Sequence, residues 1–211
     1  MNRTLLPLYE ALESGRLCLV PTDTVLGLSL HPLRPEAWHA LEEIKGRTSQ
    51  KPCVHLVASL EQALHYWAPL PAPWMELAEP CWQNGATLIW DLLPHIGAPF
   101  RSPAGSLALR VPYRQPTLLP LLQTLQVPLP TTSVNRSGTP PITAWQPAQE
   151  FIQGTSIYLP EAGLFSLPNP QTLPSTLLQI HADGSATLLR EGTLTRSQLC
   201  TWKGMTLRVS S

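Results

Sequence analysis

Twenty-four prolines and twelve glycines are spread through this chain among apolar segments, not pooled in low-complexity stretches. Proline fixes φ and removes a backbone donor, so each one shortens or ends the helix or strand around it. A chain punctuated so often can only build a globular fold of short elements and many short connections. Hydrophobic residues make up 43% of it and charged residues 13%, enough apolar mass for a large core under a sparsely charged surface. A length of 211 residues points to one compact domain.

The periodicity predicts helices over residues 4–14, 35–44, 59–67, 73–82 and 116–126, with Pro35 placed to open the second. Strands are expected at 17–20, 53–57, 87–90 and 107–111, and an extended segment at 127–132. A hairpin is expected from 176–180 and 186–190 around the Asp183-Gly184 turn signal. Strands and helices interleave without strict alternation, which predicts a mixed sheet covered by helices. The four cysteines are isolated in apolar contexts with no metal-site spacing, so small buried hydrophobes are expected and no protein-held metal. Seven tryptophans, among them Trp38, Trp67, Trp74 and Trp82, fall on apparent helix faces and read as core.

The formal net charge is zero, which removes bulk electrostatic binding to nucleic acid or to a membrane surface. Charge is patterned locally instead. No acidic residue lies between Glu43 and Glu61, an interval holding Lys45, Arg47 and Lys51. None lies between Asp91 and Glu150, an interval holding Arg101, Arg110, Arg114 and Arg136. Fixed cations in segments cleared of carboxylates predict a local positive field that concentrates an anionic ligand. Lys45, Arg47 and Lys51 suit phosphate recognition, and the Ser133-Val-Asn135 turn offers hydroxyl, amide and backbone N–H groups. No Walker pattern and no G-x-G-x-x-G is present, so a nucleotide site would have to be assembled from side chains and turns. His55, mid-strand among apolar neighbours, reads on its own as a core residue. No apolar stretch has the length of a signal core or a membrane span, and a reducing cytoplasm is the expected location.

Six segments taken together resemble the YrdC-like family. They are Pro21-Thr-Asp-Thr-Val-Leu-Gly-Leu28, Ile44-Lys-Gly-Arg47 with Lys51-Pro52, Leu109-Arg-Val-Pro112, Ser133-Val-Asn-Arg-Ser-Gly138, Ser175-Thr176, and Leu189-Arg190-Glu-Gly192. The resemblance covers about residues 5–200, and the length is similar to the short branch: a single YrdC-like domain over 1–211 with no appended C-terminal domain. It implies an α/β fold, a twisted mixed sheet with helices packed around it and a concave, positively charged site. Members include the threonylcarbamoyl-AMP synthases, which turn L-threonine, bicarbonate and ATP into threonylcarbamoyl-adenylate, pyrophosphate and water. The product serves N6-threonylcarbamoyladenosine formation at tRNA position 37.

Carried onto this sequence, the resemblance implies that Lys45, Arg47 and Lys51 hold the phosphates, with Lys45 and Arg47 catalytic. Ser106, Ser133, Asn135 and Arg190 would shape the ATP site, and Thr24, His55, Arg110, Thr131 and Ser175 would hold threonine. Mg²⁺ would come mainly through the ATP phosphates, and the expected partners are a threonylcarbamoyl-transferase machinery and a weak RNA contact, with no membrane. Leu26 stands where members usually have tyrosine, the 82–87 segment lacks two usual prolines, and Thr132-Ser-Val-Asn135 replaces the usual P-S-A-N. Two other readings stay open: a non-catalytic RNA- or nucleotide-binding module, and a paralogue acting on another carbamoyl or acyl adenylate.

Overall fold

The computed structural model describes residues 3–46, 53–100, 102, 104–161, 163–169 and 171–208. Nine strands among these form a single sheet: β1 (Cys18–Pro21), β2 (Leu26–Ser29), β3 (Val54–Leu56), β4 (Ala86–Asp91), β5 (Ser106–Arg110), β6 (Leu129–Ser133), β7 (Thr176–Ile180), β8 (Ala186–Arg190) and β9 (Leu207–Arg208). Their order is β1-β2-β6-β3-β5-β4-β7-β8-β9. Three neighbouring pairs, β3–β5, β4–β7 and β8–β9, are parallel, and the rest are antiparallel. This is the twisted mixed α/β sheet expected from the interleaved elements.

Helices cover both faces because strand side chains alternate between them. On one face Leu88, Leu109 and Leu178 pack against α4 (Ala72–Gln83), whose Trp74, Leu77, Ala78, Cys81 and Trp82 are buried. Each buried indole N–H finds a carbonyl: Trp67 donates to Leu107 at 2.9 Å, Trp82 to Leu109 at 3.0 Å and Trp74 to Gly184 at 2.9 Å. The tryptophans therefore fill the core and also tie it to the sheet. On the opposite face Val20, Leu56 and Leu129 meet α1 (Leu6–Glu13) and α5 (Leu119–Leu125). A third cluster sets Leu19 and Leu28 against α2 (Pro35–Lys45) and α6 (Trp145–Ile152).

Several elements differ from the expectation. β2 and α6 were not expected, nor were α7 (Arg196–Cys200) and β9, while the 59–67 helix shrinks to α3 (Leu60–Leu64). Cys18 and Cys81 are buried, and desolvation pushes both thiols up to about 12, so neither is a nucleophile at neutral pH. Cys53 is half-buried and Cys200 exposed, against the expectation of four buried thiols. Among the described residues no helix is long and apolar enough to cross a membrane.

Candidate active site

A cleft opens on the sheet face that carries Gly27, Val54, Leu56, Arg110, Thr131 and Leu177. Its enclosed space is about 190 Å³, less than the roughly 300–1,000 Å³ of typical small-molecule sites, so a larger ligand would extend out through its mouth. Alternation explains the lining: Val54 pairs with Thr131 and Leu56 with Arg110, so these four share one side of the sheet. Gly27 is needed here, because a Cβ would lie 2.5 Å from Thr131 Cγ2. The Thr22–Val25 turn, Ser133, Ser175 and Arg190 complete the wall.

Two of the distant polar segments meet behind the cleft wall. α2 ends at Lys45, and Gly46 takes a left-handed φ of 67° that breaks the helix and turns the chain away. Lys45 is 5% exposed, and its Nζ donates to the Ser133 carbonyl and, at 2.8 Å, to Asn135 Oδ1. Ser133 Oγ donates to the same Oδ1 at 2.7 Å, and Asn135 Nδ2 donates to Thr139 O at 2.6 Å. Asn135 thus organises the turn and holds the ammonium in place. Arg47 and Lys51 lie outside the described residues.

Arg110, at the end of β5, is 2% exposed and lines the cleft floor. Its Nη2 lies 2.7 Å from Asp23 Oδ2, an ion pair whose carboxylate side chain is wholly buried. Nη1 makes longer contacts, 3.3 Å to Thr24 Oγ1 and 3.4 Å to Gly85 O. Burial lowers the Arg110 pKa, Asp23 opposes that shift, and nearby Arg114 adds to it. Asp23 escaped the reading of the sequence, although a lone acid inside the Pro21-Thr-Asp-Thr24 turn was the available signal.

Ser175 is held by its neighbours. Thr87 Oγ1 donates to its Oγ at 2.9 Å, and Arg190 donates to its Oγ at 3.3 Å and to its carbonyl at 2.8 Å. With both acceptor positions engaged, the Ser175 proton is left to donate to a ligand. Thr131 behaves differently: its hydroxyl bonds Ser29 Oγ at 2.8 Å and Leu129 O at 3.2 Å, and its methyl faces Gly27.

Two expected residues are not brought to the cleft. His55 pairs across β3 with Leu109 and Pro130, on the side opposite Leu56, where its ring meets Phe100 at 5.9 Å. Neither ring nitrogen makes a hydrogen bond of normal geometry, and burial drives its pKa down to about 4, partly offset by the Cys53 backbone. Leu56, one residue on, occupies the cleft in its place. Ser106 begins β5, four residues and about 13 Å along the strand from Arg110, bonded to Ser102. Leu26 packs in the cluster under α2 and is not part of the lining. Among the described residues no group of three His, Cys, Asp or Glu could hold a metal ion.

The family model described as "Telomere recombination", that of the Sua5, YciO and YrdC proteins, matches residues 10–192. The chain belongs to the Sua5/YciO/YrdC family. Among relatives of this family, the threonylcarbamoyl-AMP synthase of Bacillus subtilis is 29% identical over 190 residues, covering 89% of this chain and 53% of its own. A putative threonylcarbamoyl-AMP synthase of Mycobacterium tuberculosis is 27% identical over 199 residues, covering 94% of this chain and 88% of its own. Pyrococcus abyssi Sua5, solved in complex with L-threonine, superposes with a TM-score of 0.78 at 22% identity, over 96% of this chain and 58% of that one. The chain thus spans about half the length of the Bacillus and Pyrococcus proteins. The Sua5/YciO/YrdC fold accounts for the mixed sheet.

Proposed function

We propose that this chain is a threonylcarbamoyl-AMP synthase. The observation that carries the reading is the meeting of Lys45 with the Ser133–Asn135 turn, whose Ser133 lines the cleft that also holds Arg110. A phosphate-seeking cation and a carboxylate-seeking cation at one cleft suit a reaction that joins an amino acid to a nucleotide.

The threonine amine takes up bicarbonate with loss of water, giving a carbamate. A carbamate oxygen attacks the α-phosphorus of ATP and pyrophosphate leaves. Arg110 Nη1, loosely held beside Thr24, takes the threonine carboxylate, and the Ser175 hydroxyl is the free donor beside it. The Thr131 methyl and Leu56 form the apolar floor under the ligand. Lys45, Arg47, Lys51 and Arg190 supply positive charge to the phosphates, while Ser133 and Asn135 fix Lys45 in position. Charge that builds on the leaving pyrophosphate is met by donors already in place, which lowers the barrier without reorganisation. Mg²⁺, arriving on ATP, would neutralise further phosphate charge. The product is an activated acyl phosphate mixed anhydride, to be passed in the cytoplasm to a transferase acting on tRNA.

Release of pyrophosphate from ATP that requires both threonine and bicarbonate tests the reading. Nucleotide binding with no such release would favour a non-catalytic module.

A further inference from the structure

Arg110 is the deepest cation of the cleft, and its charge is already balanced. Asp23 Oδ2 holds Nη2 at 2.7 Å, the Asp23 side chain is fully buried, and Arg110 is 2% exposed. The guanidinium is therefore gripped at one end and free at the other, since Nη1 has just the long contacts to Thr24 and Gly85. Arg190, the other arginine of the lining, bonds Ser175 and contacts no carboxylate among the described residues. The pair does not end in full satisfaction either: Asp23 Oδ1 and Arg110 Nε are both buried without a hydrogen-bond partner. One acceptor and one donor of the pair are left over.

We infer that Asp23 is a specificity-determining positioning residue: by pairing with Arg110 it makes the cleft floor neutral, so that a zwitterionic amino acid is favoured over a plain carboxylate. A bare buried guanidinium would attract any anion, including bicarbonate, pyrophosphate and the phosphates of ATP itself. With Asp23 in place, a simple carboxylate gains one contact at Nη1 and meets a like charge close by. An amino acid brings its carboxylate to Nη1 together with a positive or proton-rich amine that offsets the Asp23 charge. The discrimination is electrostatic and acts through Arg110, because Asp23 itself is not part of the cleft lining. This rests on the amino-acid reading of the site given above.

The test compares L-threonine with 3-hydroxybutanoate, which keeps threonine's carboxylate and hydroxyl and lacks the amine. Binding of each to the full chain is titrated calorimetrically in the wild type, Asp23→Asn and Asp23→Glu. Wild type and Asp23→Glu should prefer threonine. Asp23→Asn should bind 3-hydroxybutanoate at least about tenfold more tightly than wild type does, the scale of an unscreened charge effect at a buried site, while losing affinity for threonine. Should Asp23→Asn fail to fold, Asp23→Ser removes the same charge and carries the same expectation. An uncharged variant that folds and shows no gain for 3-hydroxybutanoate overturns the inference. A wild type that ignores threonine, beside an Asp23→Asn protein that gains the anion, leaves the charge role standing and removes the amino-acid reading instead.

Discussion

Lys45 Nζ and Asn135 Oδ1, separated by 90 residues of chain, lie 2.8 Å apart and join the end of α2 to the turn after β6. The contact spans two layers of the fold, so it fixes the wall of the cleft at Ser133 as well as the lysine. Lys45→Ala should lower threonine-dependent pyrophosphate release by about 10²- to 10³-fold, the scale of losing a donor aimed at developing charge. Steady-state turnover with ATP saturating checks this. Near-normal turnover in a folded variant would remove Lys45 from the chemistry.

Asn135→Ala separates position from charge. Lys45 would keep its ammonium and lose a buried acceptor, and an unsatisfied buried polar group costs about 1–3 kcal/mol. Urea unfolding of the variant should show a loss in that range, with a fall in activity smaller than that of Lys45→Ala.

His55 predicts a pH dependence of stability. Its folded pKa of about 4 lies below the ordinary histidine value of 6.5, because burial disfavours the charged ring. The unfolded chain therefore binds the proton first, and stability falls as pH drops from about 6.5 towards 4. Over the roughly 2.5 pH units between these values, at about 1.4 kcal/mol each, the full loss is on the order of 3–4 kcal/mol. His55→Leu should flatten that part of the curve in urea unfolding at pH 7 and pH 5. The same variant should retain product formation, since its side chain faces away from the cleft, whereas Leu56→Ala should raise the KM for threonine.

Gly27→Ala should destabilise the protein by about 1–3 kcal/mol, the usual result of forcing a methyl into a packed site. The added carbon would sit 2.5 Å from the Thr131 methyl. Thermal melting checks the stability, and a ligand titration should show the cleft narrowed at the same time. Gly27→Ala combined with Thr131→Ser, which removes the opposing methyl, should recover most of the loss.

What the sequence made legible depended on local signals. Pro35 and Gly46 bracket α2, and Asp183-Gly184 turns the β7–β8 hairpin, so these elements stand close to where periodicity put them. β2 escaped because Leu26-Gly-Leu-Ser29 is buried at every position and shows no alternation. α7 carried a readable start, the Thr195–Gln198 capping box, that was passed over. Of the expected site residues, Thr24, Arg110, Thr131, Ser133, Ser175 and Arg190 line one cleft, while Lys45 and Asn135 lie behind its wall, bonded to Ser133. His55, mid-strand among apolar neighbours, read on its own as core and stands there; the resemblance alone drew it to the site, because the facing of the three-residue β3 is set by pairing with β5 and β6. Asp23 was overlooked because attention to acid-free intervals hides an acid that neutralises an arginine from 87 residues away.

The central claim is tested most directly by mass spectrometry of the product formed from ATP, L-threonine and bicarbonate. Threonylcarbamoyl-adenylate should appear with all three present and vanish when any one is withheld. Its mass should rise by one unit, to the first approximation, when the bicarbonate carries ¹³C, because that carbon becomes the carbamoyl group. Unlabelled product, an adenylate that forms without threonine, or ATP left intact with all three substrates supplied would contradict the account.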